Sequence, residues 1–143
     1  MNSYTSNNSH LLIVNRGEEL IERLNQYASE SDLNSAWLSG LGGADQVTLG
    51  FYDLEAKDYV WQEYSQPLEI VSLTGNMTIV DGRPYWHIHG VFSGQDFQSI
   101  SGHVNSLRVG LTAEVLITPL PMNLTRSFDE TTGLKLIDDL NAN

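Results

Sequence analysis

Along most of the chain apolar and polar positions alternate, and that alternation predicts strands. Val47, Leu49 and Phe51 alternate with Gln46, Thr48, Gly50 and Tyr52, the signature of a half-buried strand, and Leu54–Lys57 turns it back into Tyr59–Tyr64 as a hairpin. Leu11–Val14 reads as a short buried strand. Pro67 opens a strand running through Leu68–Met77, and Asp81-Gly82-Arg83-Pro84 turns the chain into the run Tyr85–Phe92. Leu107–Pro119, rich in Val, Leu, Ile and Thr, predicts another long strand that Pro119 and Pro121 close. Leu134–Leu136 adds a short edge strand.

One stretch breaks the two-residue rhythm. Leu20, Ile21, Leu24, Tyr27 and Ala28 fall on one helical stripe behind Gly17-Glu18-Glu19, whose acidic side chains suit a helix N-terminus, and the helix should end near Ser29–Asp32. From Ser35 onward the signals are those of strands broken by turns, and Ala36-Trp37-Leu38 is followed by Gly40-Leu41-Gly42-Gly43, whose glycines permit positive φ or close backbone approach. That run lacks the following Lys-Ser/Thr and helix of a phosphate loop. The expected architecture is an α+β domain, one main helix on a largely antiparallel, barrel-like sheet. Such long strands leave edges to be covered, and association with identical subunits is one way to cover them.

The 143 residues suit one domain. Residues 1–9 are small and polar and are expected to be disordered, leaving 10–143 as the domain. No apolar run approaches the roughly 20 residues of a membrane helix, and Met1–Ser9 lacks the basic start and apolar centre of a secretory signal. A cytoplasmic location is expected.

Charge and cysteine content narrow the chemistry. With seven Lys and Arg against 18 Asp and Glu, the net charge is −11, which opposes contact with a nucleic-acid backbone. A DNA-binding face would need Arg16, Arg23, Arg108 and Arg126 to cluster rather than make structural ion pairs. There is no cysteine, so any metal site must use His, Asp or Glu.

Three of the four histidines fall in one window, His87-Ile88-His89 and His103. On a strand Tyr85, His87, His89 and Val91 share one face, and Trp86, Ile88 and Phe92 share the other. Positions two apart lie roughly 6.5–7 Å from each other, which two imidazoles can bridge to one ion with ring nitrogens about 2.0–2.1 Å from it. Gly94-Gln95-Asp96 can reverse the chain and return His103 as a third ligand. Spacing alone leaves two readings open, a three-histidine metal site or histidines on a strand surface. Trp37, Trp61, Trp86, Tyr52, Tyr59, Tyr64 and Tyr85 suit a core or subunit interface better than a ligand pocket.

The order of these signals resembles the plant-and-prokaryote-conserved (PPC) domain in its stand-alone prokaryotic form, over roughly residues 11–137. The resemblance rests on Arg16-Gly17-Glu18-Glu19-Leu20, Gly40-Leu41-Gly42-Gly43-Ala44, Leu49-Gly50-Phe51-Tyr52-Asp53 and Leu68–Asn76. It continues in His87-Ile88-His89, Ser101-Gly102-His103-Val104, Thr112-Ala113-Glu114-Val115 and Arg126–Gly133. It implies a homotrimer and, as in some prokaryotic members, a metal site at His87, His89 and His103. Ser101-Gly102-His103-Val104 stands where the family commonly has Gly-Gly-His-Leu, a change that keeps the ligand. Plant relatives bind AT-rich DNA through a basic hook that this chain lacks. The fold is also similar to acetolactate decarboxylase, a metal-dependent lyase with three histidine ligands.

Three functions follow as expectations. The first is a trimer holding Zn2+ or another divalent metal with no assigned activity. The second is a lyase or hydrolase acting on a small carboxylic acid at the metal's open position, with Glu114 as the leading acid, base or water-orienting residue and Glu69 and Arg83 behind it. An ordinary surface carboxylate is the alternative for Glu114. The third is DNA binding by family association, which the charge opposes. Partners are therefore other copies of the chain and a small anionic ligand, without a membrane.

Overall fold

The structure is a computed structural model that describes residues 1–6 and 8–138. Ten elements follow in order: β1 (Asn2–Ser6), β2 (Ser9–Asn15), α1 (Leu20–Glu30), β3 (Ala36–Asp53), β4 (Asp58–Tyr64), β5 (Leu68–Val80), β6 (Arg83–Ser93), β7 (Ser99–Pro119), β8 (Arg126–Asp129) and β9 (Leu134–Ile137). All strand pairs are antiparallel, as the alternation predicts.

The seven-stranded sheet has the order β1-β2-β7-β6-β5-β3-β4, and an added pairing of β7 with β3 closes a ring through β7, β6, β5 and β3. Closure is possible because β3 and β7 are long, 18 and 21 residues, and each changes neighbours along its length. The first half of β3 lies between β5 and β7, and its second half lies between β4 and β7. Several register shifts relieve the pairing of β3 with β7, at Gly42/Ala44, Ala44/Gln46 and Thr48/Leu49, and such bulges bend strands sharply enough to close a sheet.

Inward positions make one core. Leu12, Val14, Leu38, Ile88, Phe92 and Leu107 are fully buried, each such side chain stabilising the fold by about 1.5–3 kcal/mol relative to exposure. The helix packs on β6 and β7 and buries Leu20, Leu24, Tyr27 and Ala28. Its N-cap is Glu19, whose Oε2 accepts from Glu22 N at 2.7 Å. The other carboxylate oxygen accepts from Leu107 N at 2.8 Å, so one side chain caps α1 and fastens it to β7.

Two expectations require correction. Asn2–Ser6 does not lie loose: it pairs in register with β2, from Asn2 against Ile13 to Ser6 against Ser9. Its five residues are all exposed, so neither face carries the apolar rhythm that announces a strand. Gly40–Gly43 does not break the chain either, because β3 runs through it from Ala36 to Asp53. The expected domain end at 143 lies outside the described residues. No described helix is long and apolar enough to cross a membrane.

Beyond the ring, β8 and β9 form a two-stranded ribbon. It is pinned by Tyr52 Oη donating to Thr132 O at 2.5 Å, by Lys57 Nζ donating to Glu130 O at 2.6 Å, and by Arg126.

Candidate metal centre

Strand β6 alternates as the sequence pattern predicts: Trp86, Ile88, Gly90 and Phe92 are buried, while Tyr85, His89 and Val91 are exposed and His87 is half-buried. The turn at Gly94–Gln98 then reverses the chain. Phe97 N donates to Gly94 O at 2.9 Å, and the Asp96 carboxylate accepts from Gln98 N at 3.0 Å. Ser93 faces Ser99 at the turn, and the register carried back from there sets His103 opposite His89.

The result is a cluster of His87, His89 and His103 whose candidate ligand atoms all lie within 4.8 Å of one another. Ring centroids are 5.1 Å apart for His87–His89, 5.3 Å for His87–His103 and 5.7 Å for His89–His103. Imidazole binds metal in its neutral form. Burial, then the neighbouring His103, His89 and Arg126, lowers the His87 pKa to about 4. Burial and the neighbouring His89 likewise lower that of His103. His103 Nδ1 is buried without a hydrogen-bond partner, and such an unpaired atom costs stability unless something engages it. The donor set, its protonation and this orphaned nitrogen all fit a divalent ion.

Two glycines make room for the cluster. A Cβ on Gly75 would stand 2.3 Å from His87 O, so a side chain there would push β6 away from β5. A Cβ on Gly50, which pairs with His103, would stand 2.6 Å from the Trp61 ring and 2.8 Å from the Tyr59 ring. Without it, Tyr59 stacks on Trp61 at 4.6 Å between centroids and lies 5.0 Å from the His103 ring, walling one side of the site. Burial, followed by the neighbouring Tyr85 and Tyr52, raises the Tyr59 pKa. The alternation of Tyr59 and Trp61 opposite a glycine was the available signal for this wall, which sequence reasoning assigned to core or interface.

Glu114 does not join the cluster. It lies on β7 beside Leu41 of β3 and Ile13 of β2, exposed, and the 11 steps along the strand from His103 span roughly 35 Å. A single long strand carries both residues, so following the histidines in sequence does not bring Glu114 near them. Glu69 is exposed opposite Ser93, at the far end of β6 from His87. Arg83 is exposed at the start of β6 and is not among the charges that shift His87.

The residue the sequence reading left among the scattered cations is Arg126. Its Nε donates to Thr78 Oγ1 at 3.1 Å, one terminal nitrogen donates to Lys135 O at 2.9 Å, and the other donates to Asn76 Oδ1 at 2.9 Å. Asn76 is the cross-strand partner of His87, and the guanidinium carbon sits 5.2 Å from the Tyr85 ring centroid. Two other arginines are engaged elsewhere. Arg108 pairs with Asp45 at 2.6 Å and Arg23 with Glu18 at 3.2 Å.

An α+β domain whose closed antiparallel ring turns three imidazoles outward defines the class of this protein. The chain belongs to the Plants and Prokaryotes Conserved (PCC) domain family, whose model matches residues 1–121, the family its sequence resembles. A metal-containing protein from Archaeoglobus fulgidus is similar to it at 36% identity, over 92% of this chain and 93% of that one, with a TM-score of 0.86. A protein from Ralstonia eutropha JMP134, provisionally described as DNA-binding, is similar at 27% identity over 95% and 94%, with a TM-score of 0.89. The acetolactate decarboxylase of Bacillus subtilis subspecies spizizenii shares the fold at 15% identity and a TM-score of 0.56, over 79% of this chain and 53% of its own. A search of the curated proteins finds no match.

Proposed function

We propose that this PCC-domain protein binds a divalent metal ion, zinc first among candidates, through His87, His89 and His103, and that it works as a homotrimer. The observation that carries the reading is the approach of three imidazole ligand atoms to within 4.8 Å in a chain without cysteine. The description of the Archaeoglobus fulgidus relative as metal-containing supports it. Three neutral ligands leave an ion's double charge uncompensated and a coordination position free, which is the arrangement of catalytic rather than structural zinc sites. A bound ion would supply a Lewis acid there. The chain's own contribution is the aromatic wall of Tyr59 and Trp61 beside His103 and the fixed Arg126 near His87.

DNA binding, suggested by the description of the Ralstonia eutropha relative, has weaker support from this chain. Its charge of −11 opposes the counterion release that drives such binding, and Arg23 and Arg108 are engaged by Glu18 and Asp45.

The metal reading is tested by elemental analysis of protein purified without a histidine tag. About one divalent ion per chain is expected, and the simultaneous change of His87, His89 and His103 to Ala should abolish it. Equal metal content in a folded triple variant would overturn the reading.

A further inference from the structure

Arg126 stands beside the triad: its guanidinium donates to Asn76 Oδ1 at 2.9 Å, and Asn76 is paired with His87 across β5 and β6. A fixed guanidinium and a dication held by the three histidines would together present positive charge that a small anion answers.

The way Arg126 is held shows where that anion would sit. Thr78 Oγ1, Lys135 O and Asn76 Oδ1 each take one of its N–H groups, and the Tyr85 ring supports the guanidinium. Each terminal nitrogen has a second N–H beyond these bonds. A pair of N–H groups, one on each terminal nitrogen, matches the two oxygens of a carboxylate. The bond to Asn76 places this fork beside His87, because Asn76 and His87 are directly paired across β5 and β6. Arg126 lies outside the matched residues 1–121, and the β8–β9 ribbon delivers it to the barrel.

We infer that Arg126 is the anion-receiving residue of the triad, selecting a small carboxylate that spans the guanidinium and the metal. The inference rests on the metal reading above. The ligand class is a carboxylic acid short enough to have a second oxygen, hydroxyl or carbonyl, next to the carboxylate: 2-hydroxy and 2-oxo acids meet that requirement. Neutral analogues lack the charge that Arg126 answers.

The test uses the full chain loaded with cobalt, with metal content measured first. Lactate and imidazole are titrated separately while the cobalt absorption is followed, imidazole serving as a neutral metal ligand. Arg126→Lys should retain cobalt and bind imidazole as the wild type does, while its affinity for lactate falls by tenfold or more. A role confined to pinning the ribbon would change both ligands equally or neither. A second measurement needs no variant: in wild-type protein labelled with 15N-arginine, lactate should shift the Arg126 side-chain resonance and imidazole should leave it in place. Unchanged lactate affinity in cobalt-loaded Arg126→Lys, or an Arg126 resonance indifferent to lactate, overturns the inference and leaves the metal reading standing. If wild-type protein takes up no cobalt, both fail.

Discussion

His87 carries a measurable signature of its surroundings. In the unfolded chain its imidazole takes a proton near the ordinary value of 6.5, whereas in the folded protein burial and positive neighbours delay protonation to about 4. Between those values the unfolded state binds more protons, so the stability due to neutral His87 is full above about 6.5 and is lost as pH falls toward 4. Urea denaturation of the metal-free protein at a series of pH values should show the midpoint falling through this window, and His87→Gln should flatten the fall. At this scale the sequence was most informative where side chains share a strand. The alternation that sets His87 and His89 on one face depends only on local geometry, and the turn signals at Gly94–Asp96 were enough to return His103. Tyr59 and Trp61 reach the site through β4 and Arg126 through a separate ribbon; the hairpin's alternation sets Tyr59 and Trp61 on one face without showing what that face meets, and Arg126 arrives from a distant part of the chain.

Among the elements, α1 was legible because its stripe and cap are both local. Glu19 shows how much one cap can do. Replacing it with Ala should cost about 2 kcal/mol, since the helix loses its N-cap and Leu107 N loses its acceptor. Glu19→Gln, which keeps an acceptor oxygen, should cost less, and chemical denaturation of the two variants beside wild type checks the order. The β3–β4 hairpin was also readable from alternation and turn residues, whereas the continuity of β3 through Gly40–Gly43 was not. Glycines normally punctuate strands. Here a Cβ on Gly42 would stand 2.1 Å from Thr112 O, so this glycine serves a close backbone approach of β3 to β7, one of the uses its run allows, and the tertiary pairing shows which backbone it meets. β1 escaped for the opposite reason: an edge strand exposed along its whole length has no buried face to imprint a period.

For the molecule as a whole, the outer apolar positions call for a cover. Phe51 is 74% exposed, Leu111 67% and Val60 62%, and among the described residues the outermost strands β1 and β4 each pair on one side only. Exposed apolar strand surface of this kind invites pairing between subunits. Light scattering coupled to size exclusion should therefore report about three times the chain mass of 15.9 kDa, and a monodisperse monomer at micromolar concentration would refute the trimer.

The closed ring has a further consequence, for the way the chain reaches its native state. Its β6–β7 hairpin joins neighbours in sequence, yet β3 must find β7 across most of the chain, Ala36 settling against Pro119. Contacts of such long range are slow to form, because the intervening chain surrenders its freedom before they reward it. Until β3 and β7 meet, alternating apolar strands remain unsealed and open to neighbouring molecules. Speed of refolding and freedom from aggregation thus depend on the same event, and dilution should raise the yield of closed monomer by slowing contacts between molecules while leaving the rate of closure itself unchanged.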